Sequence, residues 1–282
     1  MKTRILTGVI SICILLPVLI FSNSILLPIA IALCSLIAVY EMLSCIGLKS
    51  AVAFSLPYYL LAAGLPFLIR YLATSRYFTS ILFACAVICM LYLFSVLIFS
   101  HGRYRLNDLS VAFFSLVYIL VGFNAILWIH DTVPAGGYVY LIAFLGAWIT
   151  DTFAYFCGML FGKGGKHKLI PDVSPKKTWE GSIGGVVFCI LSMILFGIIV
   201  EAIDQSISAN LIVLALLGLV VSVVSQIGDL SMSVIKRTYG IKDYGKLFPG
   251  HGGVLDRFDS VLAVAAILAV FCSFFSLFEV IV

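Results

Sequence analysis

The chain has 282 residues, of which 63% are hydrophobic and 11% charged, with a mean hydropathy of +1.20 and a formal net charge of +4. Soluble domains hold roughly 45–50% apolar and ~25% charged residues, so a soluble protein is excluded and an integral membrane protein is expected. One hydrophobic segment follows another without a long polar insert, which leaves no room for a separate soluble domain.

A spanning helix needs ~20 mainly apolar residues, because lipid offers no partner to a backbone amide. In chain order the first candidate is Ile5 to Phe21, preceded by Lys2 and Arg4. It is longer than the ~7–15-residue core of a secretory signal and no small-residue cleavage site follows, so it is expected to be retained. The turn Ser22-Asn23-Ser24 leads into a second span, Ile25 to Cys45. Further candidates are Val52 to Ile69, Phe78 to Phe99, Leu109 to Ile129, Tyr138 to Leu160, Ile183 to Val200, Leu211 to Ile227 and Val261 to Val282. The expected fold is therefore an all-α, polytopic membrane protein of about nine transmembrane helices. All eight cysteines fall in apolar segments without CxxC spacing, which implies neither a disulfide framework nor a zinc site.

With a cytoplasmic N-terminus, every one of the 17 Lys and Arg residues except Arg70 and Arg76 falls on the inner side. The positive-inside rule then predicts the N-terminus in the cytoplasm and the C-terminus outside. Residues 1–135 are expected to be N-terminal transmembrane helices serving as scaffold, lipid access or dimer contacts. Residues 136–282 are expected to form the catalytic region, with cytoplasmic loops 161–182 and 228–260. The outer loops are short and mildly acidic, so the chemistry is expected at the cytoplasmic surface.

Asp151 lies inside an apolar segment, where a carboxylate usually faces a polar cavity or a partner, and Tyr155 shares its face one turn later. The following GKGGKHK run lacks the spacing of a phosphate-binding P-loop and reads as a flexible basic loop. The segment from Ser174 to Ser182 places Lys176 and Lys177 just before a span, where lysines and free helix amides suit a phosphate; positive-inside anchoring is the alternative. Gly181 and Gly185 form a small-xxx-small pair able to pack helices closely, within or between protomers.

The last polar region begins with Gln226-Ile227-Gly228-Asp229. If the helix continues past the bilayer, Asp229, Ser233, Lys236 and Arg237 stand at i, i+4, i+7 and i+8 on one face, until Tyr239-Gly240 breaks it. Lys242 and Asp243 follow, then Pro249-Gly250-His251-Gly252-Gly253, whose glycines permit close approach of backbone amides to a ligand. His251 is suited to donate to a phosphate oxygen or to shuttle a proton, and has no second ligand at zinc spacing. Asp256 and Asp259 occupy one helical face at the start of the last span, with Arg257 pointing elsewhere. Clustered carboxylates repel unless a cation is shared, and Mg²⁺ prefers hard oxygen ligands together with substrate phosphates. The pattern therefore suggests a metal-nucleotide site; a solvated interfacial loop would need no such spacing.

The run Ser233-x-x-Lys236-Arg237-x4-Lys242-Asp243-x5-Pro249-x-His251-Gly252-Gly253-x-x-Asp256-Arg257-x-Asp259 resembles the signature of phosphatidate cytidylyltransferases, also called CDP-diacylglycerol synthases, without departure. The resemblance extends to Asp151 to Tyr155, Ser174 to Gly181 and Gln226 to Asp229; the first five spans match only as apolar segments. It implies transfer of a cytidylyl group from CTP to phosphatidic acid with Mg²⁺, giving CDP-diacylglycerol and pyrophosphate for phospholipid biosynthesis, in a membrane-bound homodimer. Metal ligands are then expected at Asp229 and Asp256, with Asp259 and Asp151. Lys236, Arg237, Lys242 and Arg257 are expected to neutralise phosphates. Ser174, Ser233, Lys176, Lys177, Asp243, His251, Gly252 and Gly253 are expected to contact substrate. The partners expected are CTP, phosphatidic acid and the bilayer of the cell membrane, with no nucleic acid. A CTP-dependent lipid kinase of the dolichol kinase type and an anionic-solute transporter are the alternatives.

Overall fold

The computed structural model describes residues 13, 15–102, 104–162, 167–250 and 252–281. Its helices are α1 (Leu26–Ile46), α2 (Val52–Leu72), α3 (Phe78–Phe99), α4 (Leu106–Thr132), the short α5 (Gly136–Val139), α6 (Leu141–Phe161), α7 (Trp179–Ile203), α8 (Leu211–Thr238) and α9 (Leu255–Phe274). Short strands β1 (Lys168–Ile170) and β2 (Ser174–Thr178) precede α7; β3 (Ile207–Ala209) precedes α8 and β4 (Phe278–Val280) follows α9. Eight helical segments are long and apolar enough to cross a membrane, α5 and α6 counting as one, so the all-α polytopic expectation holds among the described residues. The first predicted span, Ile5 to Phe21, lies largely outside them, although residues 15–20 are helical.

The chain divides into two compact units, Met1–Leu127 with Ile241–Arg257, and Trp128–Gly240 with Phe258–Val282. In the first, Gly47 takes a left-handed φ of 80° and ends α1, and Leu48 N–H closes the turn on Leu43 O at 2.8 Å. Arg70, near the end of α2, donates Nη2 to Ser22 O at 2.6 Å and to Ser24 O at 3.3 Å. Arg70, one of the two basic residues outside the expected inner set, therefore caps the Ser22–Ser24 turn.

In the second unit α6, α7 and α8 pack closely through glycines. A Cβ at Gly181 would overlap the Ala154 carbonyl, one at Gly184 would overlap Cys157, and one at Gly185 would lie 3.0 Å from Thr150 O. The small-residue stripe of α7 thus receives α6 of the same chain. Gly146 on α6 is pressed against Val221, and a Cβ at Gly218 on α8 would come within 2.7 Å of Ile190 Cα. Without a hydrophobic drive between helices in lipid, such close backbone contact is the main source of cohesion. Gly146 opposite Val221 also fixes the register of the parallel helices α6 and α8, and it carries Ala154 and Asp229 to the same end.

Two expectations need correction. The last helix stops at Phe274 instead of running to Val282, and β4 returns to pair antiparallel with β3, Ser208 opposite Glu279. Leu277 and Phe278 are apolar because they are buried against this unit, where Phe278 meets Phe196 ring to ring, so their composition imitates a span. The loop 161–182 is also partly ordered as an antiparallel hairpin, with Lys168 opposite Thr178 and Ile170 opposite Ser174. The basic run at its start, Lys163 to Lys166, lies outside the described residues. By contrast α8 does continue to Thr238, and Gly240 turns the chain with a φ of 69°.

Candidate active site

The hairpin is tied to α7 at its base. Trp179 N–H donates to His167 O at 3.1 Å, His167 Nδ1 meets Glu180 Oε1 at 2.6 Å, and Thr178 Oγ1 accepts Gly181 N–H at 3.1 Å as the N-cap of α7. These contacts hold β2 against the C-terminal halves of α6 and α8, bounding a cavity of about 280 Å³. Asp151 and Tyr155 line it from α6, Ser174, Lys176 and Lys177 from β2, and Gln226 and Asp229 from α8. Every residue that the sequence singled out between Asp151 and Asp229 as a site residue is therefore in one place.

Charge is concentrated there. Lys177 Nζ forms an ion pair with Asp229 Oδ2, each side chain only partly exposed. One turn further along α8, Ser233 Oγ approaches Asp229 Oδ1 at 3.5 Å, and Lys236, another turn on, is buried. The buried Asp259 of α9 lies within electrostatic reach of Asp229, Lys236 and Asp151. Its Oδ1 accepts Ser260 N–H at 2.9 Å, and Ser260 Oγ reaches toward Asp151 Oδ2 at 3.5 Å. Three carboxylates from three helices thus share a neighbourhood with two lysines. Like charges so placed favour a bound cation, and the lysines favour a polyanion.

A further link joins α7 to α8 at the cavity wall. Ser182 Oγ donates to Gln226 Oε1 at 2.6 Å, and Gln226 Nε2 returns to Ser182 O at 3.4 Å. Neither was expected to be a site residue. For Gln226 the signal was available, because it stands one turn before Asp229 on α8 and so shares its face.

The remaining expected residues belong to the first unit, whose boundary passes through the first turn of α9. Asp256 Oδ2 accepts Tyr244 N–H at 2.8 Å and Gly253 N–H at 3.0 Å, which folds the Ile241–Val254 loop back on the helix start. Gly252, with a φ of 85°, lies so near that a Cβ there would come within 2.6 Å of the same oxygen. Phe248 N–H donates to Gly252 O at 2.8 Å. Lys242, Asp243 and Arg257 are exposed in this unit, as Arg237 is in the other. His251 lies outside the described residues. Glu41 of α1 was missed as part of this arrangement: it is buried and accepts Val254 N–H at 3.0 Å and Leu255 N–H at 2.8 Å. A carboxylate inside an apolar span was the signal for it.

Among the described residues no group of three or more His, Cys, Asp or Glu is placed to hold a metal ion unaided. Mg²⁺ keeps its waters and is usually bound through one or two carboxylates plus substrate phosphates. The oxygen-only donors Asp229, Asp259 and Asp151 fit that requirement, whereas a soft metal would find no sulfur or imidazole among them.

A profile of the Cytidylyltransferase family matches residues 2–275. A protein of Staphylococcus haemolyticus named phosphatidate cytidylyltransferase is 34% identical over 268 residues, which cover 95% of this chain and 97% of that protein. Proteins of the same name from Staphylococcus epidermidis and Staphylococcus aureus are 35% identical over 268 residues and 36% identical over 270 residues, with the same coverage. With the profile and these relatives each spanning nearly all of it, the chain belongs to the cytidylyltransferase family.

Proposed function

We propose that the chain is a membrane-bound phosphatidate cytidylyltransferase, which transfers the cytidylyl group of CTP to phosphatidate and releases pyrophosphate. The observation that carries this reading is the Lys177–Asp229 ion pair among membrane-embedded helices, with Asp151, Asp259 and Lys236 around it. One substrate cannot leave the bilayer and the other cannot enter it, so a charged cavity at the bilayer edge is where both can be reached.

A phosphate oxygen of phosphatidate attacks the α-phosphorus of CTP, and the bond from that phosphorus to the bridging oxygen of the β-phosphate breaks. Pyrophosphate carries away the electron pair, so no protein nucleophile is required. The lipid phosphate is already anionic at neutral pH, so no strong base is needed either. The chain's task is to position two polyanions against their mutual repulsion. Lys177 and the more exposed Lys176 supply positive charge to the cavity, Lys236 adds to it from beside Asp259, and Ser174 and Ser233 donate hydrogen bonds to phosphate. Gln226, held by Ser182, keeps α8 in register with α7. Asp229 and Asp259, with Asp151, would hold Mg²⁺, which when bound neutralises triphosphate charge and polarises the phosphoryl oxygens. Asp256 shapes the glycine-rich turn that follows Lys242 and Asp243. The exposed Arg237, Lys242 and Arg257 attract the anionic substrates.

The same reading places the hairpin and the 228–260 region in the cytoplasm, the C-terminus outside and two chains in a homodimer. The distribution of Lys and Arg supports the orientation, and the family resemblance supports the dimer.

Proteoliposomes given labelled CTP and phosphatidate test the reaction. Pyrophosphate and a nucleotide-linked lipid are expected in equal amounts. Release of CDP with a newly phosphorylated lipid would assign the chain to the kinase class instead, and anion uptake without either product would make it a transporter.

A further inference from the structure

Glu41 stands near the end of α1, 4% exposed, in a helix otherwise composed of apolar and small residues. Its two oxygens are divided between neighbouring amides of a segment more than 200 residues away in sequence: Oε1 accepts Val254 N–H and Oε2 accepts Leu255 N–H. Both amides belong to the start of α9, where the first turn leaves its N–H groups without partners inside the helix and the helix dipole favours an anion. The surroundings are built to receive this carboxylate. Gly245 and Gly253 approach so closely that a Cβ on either would overlap it.

Asp256 works from the opposite direction. It stands on α9 and reaches back to the loop amides Tyr244 N–H and Gly253 N–H. Two carboxylates therefore fix four amides, those of Tyr244, Gly253, Val254 and Leu255, and with them the whole approach to α9. Among its described residues the Ile241–Val254 segment has no helix or strand of its own, only the bridge between Phe248 and Gly252, so these bonds determine where α9 begins and how it is rotated. Asp259 follows Asp256 one turn later on the same helix, whose start these bonds set.

We propose that Glu41 is a positioning residue for cytidylyl transfer, setting the place and rotation of the acidic first turn of α9. The inference rests on the reading above, in which that turn serves the reaction. Glu41 touches no substrate in this account, so its loss is felt in turnover more than in nucleotide affinity.

The test uses the full-length chain in proteoliposomes, with kcat and KM for CTP determined separately and thermal unfolding followed in detergent. Glu41→Gln keeps the length but turns an NH₂ group toward a backbone N–H, and misplacement on the ångström scale lowers rate by about 10²-fold. A kcat reduced by about that factor, with KM for CTP near that of the parent, is expected. Glu41→Asp keeps both acceptors on a shorter arm and is expected to restore part of the kcat. Gly253→Ala leaves the carboxylate in place but crowds it, and is expected to lower kcat in the same way, which keeps the question answerable if Glu41→Gln fails to fold. Parental kcat in folded Glu41→Gln or Gly253→Ala, a loss confined to KM, or a loss that tracks only the amount of folded protein would overturn the proposal. Asp259→Asn separates the two readings: if it is inactive while Glu41→Gln turns over normally, only the role of Glu41 fails. If Asp259→Asn is itself fully active, the acidic turn has no part in the reaction and the wider assignment fails with it.

Discussion

Asp229→Asn is expected to lower kcat/KM for CTP by about 10³-fold, the scale on which removal of a preorganised charge-stabilising group from an active site is felt. The substitution preserves shape and leaves Ser233 a partner, so α8 and its packing on α6 and α7 are not disturbed. What it removes is the charge that faces Lys177 and lies within electrostatic reach of Asp259. Two consequences follow in the same direction. A hard cation loses a first-choice oxygen ligand, and Lys177 loses the anion that holds it over the cavity. Pyrophosphate release measured against Mg²⁺ concentration checks both, because residual activity should respond weakly to the metal. Near-parental rates with an unchanged Mg²⁺ dependence would remove Asp229 from the reaction.

Lys177→Ala is expected to cost about 10²-fold in kcat/KM, the size of effect associated with losing one positioned group. Lys177 projects from β2, and the N-cap at Thr178 together with the Trp179–His167 bond fixes the backbone beside it. Its removal leaves Asp229 beside Asp259 with one cation fewer in the cavity, so the repulsion that opposes a triphosphate rises. Arginine should rescue only in part, because a planar guanidinium is wider than an ammonium and its donors point in fixed directions. Lys176→Ala provides the contrast: this neighbour is exposed, and charges in water are screened, so a much smaller loss is expected. Equal losses at the two positions, measured as initial rates of CTP consumption with phosphatidate, would mean that general positive charge matters and the ion pair does not.

Most of the transmembrane layout was legible because a span announces itself by length and apolarity alone. The ends were less so. Residues after Phe274 are as apolar as those before, yet they form a strand, since burial against protein and burial in lipid demand the same side chains. The β1–β2 hairpin was hidden for the opposite reason: short polar strands beside a proline have the composition of a loop. On α8 the spacing of Asp229, Ser233 and Lys236 was enough to predict a common face, because that relation lies within one helix. Asp256 and Asp259 show the limit of such spacing. Spacing puts them on a common face but does not tell their partners apart: Asp256 Oδ2 accepts loop amides, whereas Asp259 lies within electrostatic reach of Asp229 and Asp151. Glu41 and Gln226 each carried a signal, a carboxylate inside a span and a place on the face of Asp229, but their partners Val254, Leu255 and Ser182 were beyond reach, since those contacts depend on the register between elements distant in sequence.

The central claim is that the cavity between α6, the β1–β2 hairpin and α8 receives the nucleotide. A photoreactive CTP analogue, irradiated in proteoliposomes containing phosphatidate and Mg²⁺ and followed by peptide mapping, tests it most directly. Label is predicted on the peptides that carry Asp151 to Tyr155, Ser174 to Ser182 and Gln226 to Lys236, and excess CTP should abolish it. Competable label confined to the helices α1 to α4, with none on these three peptides, would contradict the account.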